Sequence, residues 1–203
     1  MEIRRIALHH SGGLLNQPLA STLDLTAEQI DLAHKTRFGM QSPYTRLWGG
    51  YTIFYEKTGK RTQFRAIGEE TMAQKGSNFD TISFAFAGNY SGVDKMAASQ
   101  QIVFENDLRA LLDGDLSRFI IVPGTKINID PYQIKPYYFY SPTECYGTFL
   151  PENWGRDLAL KHLNLKLSYW KLLLEYLQLL MKRNLGHKSS VSGSNVPCWM
   201  GEK

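Results

Sequence analysis

The feature that most constrains the fold of this chain is an alternation. Short runs of β-branched and aromatic residues, each stopped by glycine or proline, are separated by stretches of helical pattern. Residues 3–9 form an apolar run closed by Ser11-Gly12-Gly13. Thr26 and Gln29 make a capping box, and Leu25 is placed to staple onto Ile30; the helix they open runs to about Phe38, where Gly39 stops it. Residues 51–56 and 61–66 flank Lys57-Thr58-Gly59-Lys60, a hairpin signal. A third run, 81–87, ends at Gly88-Asn89, and 97–112 reads as a helix with Phe104, Leu108 and Leu111 on one face. Residues 119–122 read as another strand, stopped by Pro123-Gly124, and the Pro-, Gly- and Tyr-rich stretch 123–155 reads mostly as loop. The pattern predicts an α/β body: a mixed β-sheet flanked by α-helices, mixed because a hairpin lies among strands that helices connect.

The C-terminal region follows another rule. Leu163, Leu167, Trp170, Leu174, Leu177 and Met181 repeat with 4-3 spacing, and Leu165, Tyr169, Leu172, Tyr176 and Leu179 repeat likewise one stripe over. The helix they predict is apolar around well over half its circumference, more than one packing seam needs. The domain plan is therefore a body over 1–155, an apolar helix over 156–185, and a flexible tail rich in Ser, Gly and Lys over 186–203.

Charge separates the same regions. Residues 156–203 carry eight basic against three acidic side chains, while 1–155 is almost neutral. That distribution argues against a nucleic-acid groove through the body and suits an anionic membrane or wall surface as the contact of the helix, while its two apolar stripes suit self-association. Two cysteines, Cys145 and Cys198, are too few for a disulfide framework. The start of the chain carries only a three-residue apolar run before His9, which reads as cytoplasmic synthesis without a secretory signal. Gly59-Lys60 is not a phosphate loop, since Phe54 stands where the first glycine of that motif belongs.

Four segments carry what remains: Ile6-Ala7-Leu8-His9-His10-Ser11-Gly12; the helix with His34 and Lys35; Gly50-Tyr51-Thr52-Ile53-Phe54-Tyr55-Glu56; and Ser141-Pro142-Thr143-Glu144-Cys145-Tyr146-Gly147. In that order, over residues 1–155, they resemble the zinc-dependent N-acetylmuramoyl-L-alanine amidases, the group shared by phage lysins and peptidoglycan-recognition proteins. The resemblance implies a zinc in a shallow groove, held by His9, by the residue eight before Cys145, and by Cys145 itself, with Tyr51 and Thr143 as catalytic groups beside water and oxyanion. The residue eight before Cys145 is Tyr137, where the family carries a second His. Thr52, Ala73 and Ala85 also depart from the family pattern. His34 is read as structural, and Tyr132, Tyr137, Tyr138 and Tyr140 as an aromatic platform for ligand or as loop anchors. Two functions follow as expectations: a peptidoglycan amidase acting at the cell wall with Zn2+, or a non-catalytic peptidoglycan-binding or structural module of the same fold.

Overall fold

A computed structural model describes residues 1–14, 16–73, 78–139 and 151–188, without the side chains of 139 and 182–188. In chain order the elements are β1 (Glu2–Ile3), β2 (Arg5–His10), α1 (Ala27–Phe38), β3 (Ile53–Tyr55), β4 (Arg61–Gln63), β5 (Thr81–Phe86), α2 (Ala98–Asp113), β6 (Lys126–Ile127), β7 (Ile134–Pro136) and α3 (Trp154–Lys188). Short 3-10 turns over Pro131–Gln133 and Tyr137–Phe139 flank β7. The chain divides into two compact units, Met1–His162 and Leu163–Lys203. The boundary read from the sequence at 155 falls just inside α3, whose opening turns belong to the first unit.

The first unit is built on a five-stranded sheet in the order β4-β3-β5-β2-β7. The β3–β4 pair is antiparallel and the other pairs are parallel, so the sheet is mixed. Successive strand residues point to opposite faces, and the sequence uses the two faces differently. Ile6, Leu8, Ile53, Tyr55, Ile82, Phe84 and Phe86 enter one core, together with Phe104, Leu108 and Leu111 of α2. The opening of α3 joins it through Ala159 and Trp154, whose ring stacks on Phe104 at 5.1 Å. The opposite face packs Phe54, Phe64, Ala85 and Ala87 against Ala27 and Ile30 of α1. Ala7 and Ser83 share that face by alternation, and both are buried. One face thus carries bulk, and the other is small beside the end of β2.

Local rules fix the helices. Thr26 accepts the N–H of Gln29 while the Gln29 side chain accepts the N–H of Thr26, and Gly39 ends α1 in the left-handed region at φ 65°. Leu25 packs against the cluster that holds Ile30. At α2, the Gln100 side chain accepts the N–H of Ala97 and donates to the carbonyls of Tyr55 and Ala87, which ties the helix start to the sheet. Asp107, fully buried on α2, accepts the Tyr55 hydroxyl at 2.7 Å and Arg61 Nε at 2.6 Å. Arg118 Nε lies 2.9 Å from its other oxygen as an ion pair, without the alignment of a hydrogen bond.

Two expectations change. Residues 119–122 do not form a strand; Ile121 makes a single parallel bridge to Ile67. The stretch read as loop contributes β6, paired with β1, and β7, paired with β2. Pro136 disguised β7, but β7 is an edge strand, where a missing N–H is tolerated.

In the second unit, α3 continues through Lys188. Both apolar stripes are exposed: Leu167 at 67% and Leu174 at 59% on one, Leu172 at 67% and Leu179 at 65% on the other. Beyond Lys188, the tail expected from residue 186 onward lies outside the described residues.

Candidate functional site

The site begins with the alternation at the end of β2. His9 and His10 are adjacent, so they point to opposite faces of the sheet. His10 Nδ1 accepts the N–H of Tyr90 at 3.0 Å, and its ring stacks on Tyr90, so His10 is a structural residue. His9 points to the small-residue face, where its register partner on β5 is Ala85. It is 2% exposed, and burial, with a smaller push from His10, lowers its pKa to about 3. Its imidazole is therefore neutral at ordinary pH, a form able to ligate a metal or share one hydrogen bond at each nitrogen.

Tyr51 is delivered by the loop before β3, and α1 holds that loop from one face. Asp31 accepts the N–H groups of Trp48 and Gly49, and His34 Nδ1 accepts the N–H of Gly50 at 2.8 Å. Gly49 is required here, because a Cβ would meet the Phe64 ring at 2.1 Å. So held, the Tyr51 ring lies 5.4 Å from His9 and 5.3 Å from His34, centre to centre. Burial lowers the His34 pKa to about 4, and nearby Arg37 pushes the same way.

Tyr137 arrives from the other side. Pro136 on β7 pairs with Leu8, which brings the next residue beside His9. The two ring centres lie 4.4 Å apart with the planes tilted by 34°, so the phenol packs against the imidazole. His9, His34, Arg37, Phe38, Gly50, Tyr51, Met72, Ala73 and Tyr137 enclose a groove of about 310 Å³.

Of the residues singled out in the sequence, the structure brings together His9, Tyr51 and Tyr137. Thr143 and Cys145 lie outside the described residues, as does Tyr140. Among the described residues, no three His, Cys, Asp or Glu side chains cluster as a metal would require. Thr52, one of the departures from the family pattern, is buried and accepts the N–H of Ser83, so that side chain serves the β3–β5 seam. Ala73 lines the groove, and Ala85, the register partner of His9, is buried in the core between the sheet and α1. His34 is structural, as expected, but it also lines the groove, and Arg37 joins it there. Their signal was the spacing of Asp31, His34 and Arg37, which lie three residues apart on one face of α1.

No protein-family model matches the chain, and no curated protein matches it by sequence. Solved structures do match. The N-acetylmuramoyl-L-alanine amidase LysC from Clostridium intestinale URNW is 21% identical, covers 78% of this chain with 84% of its own length, and superposes with a TM-score of 0.51. Human PGRP-IBETAC, solved in complex with glycosamyl muramyl pentapeptide, is 12% identical, covers 74% with 80% of its own length, and gives a TM-score of 0.50. At these identities the likeness is one of fold: the chain has the mixed α/β fold of the amidases and peptidoglycan-recognition proteins.

Proposed function

We propose that this chain recognises peptidoglycan through the His9–Tyr51–Tyr137 groove without hydrolysing it. The observation that carries the reading is the Tyr137 ring lying over His9 at 4.4 Å. A hydrolytic zinc needs three protein donors and one open position, with metal–ligand bonds near 2.0–2.3 Å. Bonds of that length from an imidazole nitrogen and a phenolate oxygen to one tetrahedral metal would hold the ring centres roughly 5–7 Å apart. The observed pair is closer, with the rings tilted by 34°, and this favours two packed rings over two ligands of one zinc. Charge argues the same way. With a thiolate and a phenolate, the centre is neutral where two His and a thiolate leave a net positive charge, and a neutral centre stabilises an oxyanion less.

The rest of the groove suits a ligand with sugar and peptide parts. Tyr51 and Tyr137 offer ring faces to a sugar or a lactyl group, and the Arg37 guanidinium offers a fork to a carboxylate of the peptide stem. His9 and His34, both neutral, add acceptors and donors without drawing the carboxylate from Arg37.

A second reading is favoured by one observation, the neutrality of buried His9. In it the chain is an amidase cutting the N-acetylmuramoyl-L-alanine bond, with zinc on His9, Tyr137 and Cys145, and with Tyr51 and Thr143 beside the substrate. The discriminating experiment incubates purified protein with cell-wall sacculi, with added zinc and with chelator, and measures both co-sedimentation and release of free L-alanine amino termini. Binding unaffected by chelator, with no release, is the expected result. Zinc-dependent release would overturn the binding reading in favour of the amidase.

A further inference from the structure

We infer that residues 163–181 of α3 form a self-association surface, whose two apolar seams each take the same helix from another copy of this chain. The argument starts from exposure. Leu165, Leu167, Leu172, Leu174 and Leu179 are each 59–67% exposed, and Tyr169, Trp170, Tyr176 and Met181 are exposed beside them. Side chains of this size, exposed to that extent, leave on the order of 1,000 Å² of apolar surface along one helix, where a monomer rarely keeps a contiguous patch above a few hundred. A stable interface needs about 800 Å² per partner. The helix carries that much before any other surface is counted.

The spacing says what covers it. Each seam keeps the 4-3 repeat of knobs packed into the holes of a facing helix. At 100° per residue, the seam through Leu167, Trp170 and Leu174 and the seam through Leu172, Tyr176 and Leu179 are centred about 160° apart. One partner helix can cover one seam only. The second seam needs a second helix, so an assembly that covers both seams of any copy holds three helices or more. An identical chain fits by construction, because it carries the same seams at the same height.

The remaining surface fits a bundle better than a lipid surface. A helix lying in a membrane interface has a polar face rich in Lys and Arg. Here that face runs Asn164, Ser168, Lys171, Glu175, Gln178 and Lys182, only two of them basic, with Lys171 and Glu175 one turn apart and opposite in charge. Among the described residues, no helix is long and apolar enough to cross a membrane.

Sedimentation equilibrium of the intact chain up to about 100 µM tests the inference. The expected mass is three chains or more. Leu167→Lys with Leu174→Lys should remove one seam, and Leu172→Lys with Leu179→Lys the other; either pair should reduce the assembly to a dimer or smaller, and all four together to a monomer. The melting temperature of the first unit should stay unchanged in every variant. Leu172→Met with Leu179→Met, which keeps the seam apolar, should retain the assembly. A monomeric intact chain overturns the inference, and so does an assembly that survives all four charges. An intact chain that is monomeric but floats with vesicles of neutral and anionic phospholipid would assign the surface to lipid instead.

Discussion

The two faces of the sheet make opposite use of the same strands. On the α2 face the odd positions of β3 and the even positions of β2 and β5 supply Ile53, Tyr55, Leu8, Phe84 and Phe86. On the α1 face the interleaved positions supply Ala7, Ser83, Ala85 and His9. The first set fills space and stabilises; the second leaves a shallow floor at the strand ends where α1, the Gly49-Gly50 loop and Tyr137 meet. The difference teaches where stability and recognition are separable. Substitutions on the α2 face should change the folding free energy and leave ligand binding alone, and substitutions around His9 should do the reverse.

The exception to that separation is pH, and it gives the largest expected effect. His9 titrates near 3 in the folded chain and near 6.5 when unfolded. Between those values the unfolded chain holds a proton that the folded chain refuses, so stability falls as pH is lowered. The sign is that of a buried base: nothing is lost above about pH 7, and the loss accrues at about 1.4 kcal/mol per pH unit, approaching roughly 4–5 kcal/mol near pH 3. His34 adds to the slope down to about pH 4. Urea denaturation from pH 7.5 to 4 should show it, and His9→Gln should flatten it. An unchanged slope in His9→Gln would mean that His9 is not the source.

The α2 face has its own polar weak point. Asp107→Ala leaves the Tyr55 hydroxyl and the Arg61 and Arg118 guanidinium groups facing a buried void, which should cost about 3–5 kcal/mol, as breaking a buried ion cluster from one side does. Below its lowered melting temperature, the variant should still bind sacculi with unchanged affinity. Lost binding in a folded Asp107→Ala protein would break the separation of faces.

How much of this was legible follows from the kind of force involved. The capping box at Thr26, the hairpin around Gly59 and the apolar stripes of α3 are local patterns, and each is found where the sequence places it. Long-range polar partners were not legible. Asp107 sits on α2 as an acidic residue among apolar ones, and its role depends on Tyr55, Arg61 and Arg118 arriving from elsewhere. His34 was recognisable as structural, but its place in the groove depends on a hydrogen bond to Gly50 that helical periodicity does not encode. Residues 119–122 have the composition of a strand, but a strand needs a ladder partner, and here only Ile121 finds one. The likeness of residues 1–155 to the amidases carried His9, Tyr51 and Tyr137 to one place through motif order, which periodicity alone could not do.

On the recognition face, Arg37→Ala should leave the melting temperature within about a degree, because the side chain is exposed on α1. It should weaken binding of a muropeptide with a free carboxylate about three- to fivefold, the usual worth of a solvent-exposed ionic contact. Amidating the carboxylate should remove that difference between wild type and variant. If the variant binds both forms as tightly as wild type does, the groove does not use Arg37.

The smallest expected change is the most discriminating. Tyr137→Phe deletes one oxygen and keeps the ring that lies on His9. If the ring serves as a cover and a binding face, folding stability should stay within about 0.5 kcal/mol, as for substitutions that remove no buried contact. Affinity for sacculi should then stay within about twofold, an energy below the value of one hydrogen bond. If Tyr137 instead contributes its oxygen to a metal, the same substitution removes a ligand, and zinc affinity measured by competition with a chromophoric chelator should fall tenfold or more. The two readings therefore assign opposite outcomes to a single atom. Tyr137→Ala completes the comparison: it removes the ring as well, exposes the face of His9, and should reduce sacculus binding well beyond the phenylalanine variant if packing is what the residue supplies.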